Sequence, residues 1–164
     1  MRRIVICDTG PLLHLSEANA IHLLQLAGEV IIPPAVAKEF RQNAPDAKLP
    51  GWIRVKDLDE FYGKKALGWS KQIDAGEAAA IALTLQEQAD WLLSDDAKAR
   101  QFAQALGLEV HGSIGLLLWA IAERHLEKRE DALTLLNALA DSSLWISDRV
   151  LRQAYQAIDT LFSE

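Results

Sequence analysis

The chain has 164 residues, enough for one domain with its own hydrophobic core and no need of covalent staples. It is 50% apolar and 24% charged, and no apolar run reaches the roughly 20 residues needed to cross a bilayer, so a membrane span is excluded. The net charge of −6, from 17 basic and 23 acidic residues, argues against coating nucleic acid through a broad basic face. It leaves room for an enzyme that meets a phosphodiester through bound cations.

In chain order, Arg3 to Cys7 is short, β-branched and bounded by Asp8-Thr9-Gly10-Pro11, which reads as a buried strand entering a turn. The basic start is not a secretory leader, because the apolar stretch is short and Asp8 interrupts it. Leu12 to Leu26 carries leucines at helical spacing with Asn19 as a break, and Glu29 to Ile32 is a second strand stopped by Pro33-Pro34. Pro34 suits the first turn of a helix through Ala35 to Gln42. Trp52 to Val55 reads as a third strand, and Asp57 to Lys71 has weak patterning. Asp74 to Glu87 is an alanine-rich helix, Asp90 to Ser94 a strand, and Lys98 to Leu106 a helix with Gly107 as its stop. Leu108 to His111 is the last strand, followed by helices over Ile114 to Arg124, Glu130 to Ala140 and Asp148 to Phe162.

Without a linker or repeat, residues 1–164 are expected to form a single domain: a core to about 125, then C-terminal helices over 126–164. Strands separated by helices imply a parallel sheet with helices on both faces, a three-layer α/β/α sandwich. The lone cysteine, Cys7, excludes an internal disulfide or a cysteine zinc site. It reads as a small core residue of a cytoplasmic protein.

Ligands of such sheets sit beyond the carboxyl ends of the strands. Two strands end in acids: the first runs into Asp8, and the fourth, with its terminal Ser94, runs into Asp95-Asp96. Glu39 lies on the helix after Pro34, and Glu77 near the start of the alanine-rich helix. Gathered at one edge, these carboxylates would repel by about 4 kcal/mol per close pair at an effective dielectric of 20. Oxygen-preferring Mg²⁺ or Mn²⁺ would relieve that repulsion and supply phosphodiester chemistry. Each acid also has a plainer use: Asp8 or Asp95 as a helix N-cap, Glu77 in a capping box with Asp74, and Glu39 as a solvated charge. With Asp95 as the expected cap, Asp96 is the better expected ligand.

Five short blocks resemble the PIN-domain superfamily, and more narrowly its small prokaryotic proteins similar to toxin ribonucleases of the VapC type. They are Asp8 to Leu13, Pro33 to Glu39, Gly76 to Ala82, Leu92 to Asp96 with Ala99-Arg100, and Gly112 to Leu117. The resemblance runs from residue 4 to about 125. It implies cleavage of single-stranded RNA with Mg²⁺ or Mn²⁺ held by Asp8, Glu39, Glu77 and Asp96, with Asp95 as an alternative to the last. One departure is Glu77, where the toxin ribonucleases usually carry Asp. The resemblance also implies a homodimer and an antitoxin protein as partner. Thr9 and Ser94 could orient ligands, with turn chemistry an equal explanation. Arg100 and Ser113 could touch the substrate backbone, with an exposed helix arginine and a helix cap as their plainer uses.

An opposing expectation is a non-catalytic PIN-like interaction module with a loosened metal site, motivated by Glu77 and the acidic surface. Receiver and haloacid-dehalogenase folds fit less well. Receivers place their acidic pair after the first strand, and dehalogenases want a second Asp where Gly10 stands. No histidine has metal-ligand spacing, and the five tryptophans read as packing residues before base-stacking platforms.

Overall fold

The computed structural model describes residues 2–163. Five strands form one parallel sheet: β1 (Ile4–Cys7), β2 (Glu29–Ile32), β3 (Ile53–Val55), β4 (Trp91–Leu93) and β5 (Val110–His111), in the order β3-β2-β1-β4-β5. Val5, Ile6, Cys7, Val30, Ile32 and Leu93 are fully buried, as expected of strands covered on both faces. Burial also pushes the Cys7 thiol well above its ordinary range, consistent with a core role.

The chain moves one way across the sheet from β1 to β2 and the other way from β3 to β4. Right-handed crossovers therefore place the intervening helices on opposite faces, giving a three-layer α/β/α sandwich. On one face α5 (Ala75–Gln86) packs on β1 and β4 and is flanked by α4 (Glu60–Trp69) and α6 (Ala97–Ala105). Every residue from Gly76 to Thr84 is buried, and the small alanines let sheet and neighbouring helices approach closely. On the other face α2 (His22–Ala27) packs on β2. α7 (Ser113–Ala122) joins it to α1 (Thr9–Glu17), α8 (Arg129–Ala140) and α9 (Asp148–Phe162).

The expected Leu12–Leu26 helix is two helices, separated where Asn19 adopts a left-handed φ of 55°. α3 (Pro34–Asn43) begins on its proline, and Gly107, with φ +82°, follows α6 as its stop. The weakly patterned Asp57–Lys71 segment holds α4, capped by Asp59 accepting from the Tyr62 N–H at 2.8 Å. Its patterning is weak because Ala66 is its one buried residue, while Phe61 and Leu67 face outward. The apolar run on α7 is used inside the chain: Leu116 and Leu117 are buried, and Leu118 and Trp119 pack against the same core. That run therefore does not favour a dimer. Among the described residues, no helix is long and apolar enough to cross a membrane.

Candidate active site

The strand order reverses between β1 and β4, and such a reversal opens a crevice at the carboxyl ends of the two strands. Asp8 stands at this point, its N–H donating to the Leu93 carbonyl at 2.9 Å. It caps α1, with Oδ1 accepting from the Thr9 N–H at 2.7 Å. Only 5% of it is exposed. Burial pushes its acid up to about 7, and the negative charges of Asp74, Glu39 and Asp95 add to the rise.

Glu39 reaches in from α3, and its Oε2 accepts from the Thr9 hydroxyl at 2.7 Å. The carboxylate lies against the backbone of Gly76, where an added Cβ would stand 2.5 Å from Oε1. Glycine is what lets α5 come so near. One residue on, Glu77 closes a capping box: its Oε1 accepts from the Asp74 N–H at 3.1 Å, and its own N–H donates to Asp74 Oδ1 at 2.8 Å. Burial pushes Glu77 up to about 8, with Asp74, Asp8 and Asp96 contributing like charge.

Asp95 and Asp96 exchange the roles expected of them as caps. Asp96 caps α6, accepting from the Ala99 N–H at 2.9 Å. Asp95 turns the other way, taking the Ser113 N–H on Oδ1 at 2.7 Å and the Ser113 hydroxyl on Oδ2 at 2.6 Å. Oδ2 also meets His14 Nδ1 at 2.7 Å. The start of α6 at Ala97 makes Asp96 its N-cap residue.

The acids border one cavity of about 820 Å³, lined by Asp8, Glu39, Asp74, Glu77, Asp95 and Asp96 with Thr9 and Arg100. A family model described as a PIN domain matches residues 4–160 of the chain. The chain belongs to the PIN-domain family. No curated protein matches it. PIN domains are a nuclease superfamily whose members typically use divalent metals.

The four carboxylates singled out in the sequence of this PIN domain share one property. Among the described residues, Asp8, Glu39, Glu77 and Asp96 each have one oxygen fixed by a protein donor and the other free of hydrogen bonds. Both oxygens of Asp95 are engaged. The donor set is all oxygen, as a hard cation requires, and Gly76 cradles one member of it. The buried Ser94 hydroxyl, just after β4 and next in sequence to Asp95, has no hydrogen-bond partner among the described residues. As they stand, no three acid or histidine side chains among the described residues are arranged to enclose an ion. The residues fit a divalent cation by the chemistry of their oxygen donors and by lining one cavity.

Sequence reasoning missed His14, whose partner lies 81 positions away, and the steric role of Gly76. His14 lies on the helix that Asp8 caps, one turn from Gly10, whose added Cβ would stand 3.5 Å from the imidazole. Gly112 is a second missed cradle. A Cβ there would stand 2.8 Å from Arg100 Nη1 and 3.0 Å from Asp95 Oδ1.

Proposed function

We propose that this PIN domain is a Mg²⁺- or Mn²⁺-dependent endoribonuclease for single-stranded RNA, with the cation held by Asp8, Glu39, Glu77 and Asp96. The reading is carried by four carboxylates that line one cavity, each with one oxygen left without a hydrogen bond among the described residues. Two of them are buried deeply enough to resist ionising near neutral pH without a positive partner.

A bound divalent ion supplies the activation of a water and the stabilisation of the departing 3′ oxygen. The residues of the chain do the placing. The Thr9 N–H and hydroxyl hold Asp8 and Glu39 together, the Asp74 N–H holds Glu77, and the Ala99 N–H holds Asp96. Arg100 is the one Lys or Arg among the cavity-lining residues, and it offers a guanidinium to the substrate phosphates. Asp95, tied to His14 and Ser113, clamps α1, the β4–α6 loop and the start of α7 into one rim. Asp95 is thereby a positioning residue rather than a ligand.

A homodimer, an antitoxin partner and a cytoplasmic site of action belong to the same proposal and are supported by the VapC-type resemblance. Light scattering checks the dimer. Replacing Asp8 with Asn abolishes Mn²⁺-dependent cleavage while the fold persists; unchanged cleavage would sink the assignment. The competing reading, an idle interaction module, draws on the capping box that engages Glu77. It predicts a melting temperature indifferent to millimolar Mn²⁺.

A further inference from the structure

The five tryptophans are not equivalent. Trp91 is buried and meets Trp119 edge to face at 5.5 Å, Trp69 meets Phe102 at 5.6 Å, and Trp52 packs on the core. Trp145 is 85% exposed, yet it lines the carboxylate cavity with its neighbours Leu144 and Ile146. Its loop is held down. Ser143 donates from its hydroxyl to Glu17 Oε1 at 2.5 Å and from its N–H to Glu17 Oε2 at 3.2 Å. Leu144 N–H donates to the Ser142 hydroxyl at 3.1 Å, and Ser147 caps α9. Glu17 is the last residue of the helix that Asp8 caps, so the loop carrying Trp145 is tethered to the same helix as Asp8.

We infer that Trp145 is a stacking platform for a nucleobase of single-stranded RNA next to the bond cleaved in this cavity. The inference rests on the nuclease reading above. A cavity rich in acids with one arginine neutralises little backbone charge, so affinity must come from elsewhere. A solvent-facing indole on an anchored loop supplies it through base stacking, which tolerates any sequence. The other four tryptophans are already engaged in packing, which singles Trp145 out from the group.

The test uses the Asp8→Asn protein without added metal, its neutral amide removing one negative charge from the cavity, with a short fluorescently labelled single-stranded RNA followed by anisotropy. Adding Trp145→Ala weakens binding about ten- to a hundredfold and leaves the melting temperature unchanged. Trp145→Phe keeps affinity within about threefold, since a smaller ring still stacks. It also removes most of the RNA-induced quenching of tryptophan emission. Equal affinity in Trp145→Ala overturns the inference while the nuclease reading stands. If the same variant also loses a dimer in light scattering, Trp145 is a contact between copies instead. A parent that binds no RNA at all overturns the stacking inference too, while the Mn²⁺ dependence of wild-type cleavage tests the nuclease reading separately.

Discussion

The two ends of α5 carry a glutamate each, and the two behave in opposite ways. Glu77 sits at the amino end, where the helix dipole should favour its negative charge. Its acid is nevertheless pushed up, because burial and the charges of Asp74, Asp8 and Asp96 outweigh the dipole. Glu87 sits at the carboxyl end, where the dipole opposes it. It is held below its ordinary range by a 2.6 Å bond from Lys56 Nζ and a further bond from Gln86. Burial decides the first case and a specific partner the second, and the dipole decides neither. One end of the helix is finished as a structural ion pair, while the other is left short of positive charge. That shortage is what a cation would satisfy.

The strongest way to break the comparison is at Asp8, the deepest acid of the deficient end. Asp8→Asn lowers Mn²⁺-dependent RNA cleavage by at least about a hundredfold, measured by gel-resolved cleavage rates. In EDTA at pH 8 the same change raises the melting temperature by several degrees, because a neutral amide keeps the Thr9 bond without the buried charge. The pH profile follows. An acid at about 7 in the fold and near 3.8 in the unfolded chain binds its proton more tightly when folded. Its effect is absent below about pH 4, and metal-free stability falls as pH rises from there to about 7. The loss is at most about 4 kcal/mol for this group. Glu77 extends the fall to about pH 8. Denaturant titrations across pH in EDTA check this, and a stability that rises over that window would contradict it.

Gly76→Ala sharpens the comparison without touching a carboxylate. The new methyl group displaces the Glu39 carboxylate, which is mobile enough to yield, so the fold survives. Cleavage drops about tenfold through misplacement, while the helix gains up to about 1 kcal/mol from losing a glycine. Steady-state kinetics beside thermal melts separate the two effects. The smallest change is at the satisfied end: Glu87→Gln costs under about 1 kcal/mol and leaves cleavage untouched. Its stabilising effect is present above the ordinary glutamate value and fades as pH falls through the lowered one.

Much of the sheet was legible in the sequence because its strands are continuous apolar runs stopped by Asp8, Pro33 and Ser94. α4 was not, since its outward-facing Phe61 and Leu67 break the usual one-sided pattern. At the site, the acids after strands could be found from strand ends alone. Which of Asp95 and Asp96 would cap α6 could not, because adjacent acids differ as caps only by the one residue at which the helix begins. His14 and Gly76 were hidden for another reason. Their roles are contacts with Asp95 and Glu39, made by the fold and leaving no local pattern. Trp145 was hidden among tryptophans that do pack.

The central claim is that the deficient end of α5 and its neighbours form a cation site. Melting the wild-type protein and Asp8→Asn over a Mn²⁺ titration, at pH 6 and at pH 8, tests it most directly. A wild-type melting temperature that climbs with Mn²⁺, more steeply at pH 8 where the carboxylates shed their protons, and an Asp8→Asn protein that does not respond, is the predicted result. A wild-type protein whose melting temperature stays flat at both pH values, up to millimolar Mn²⁺, would contradict it.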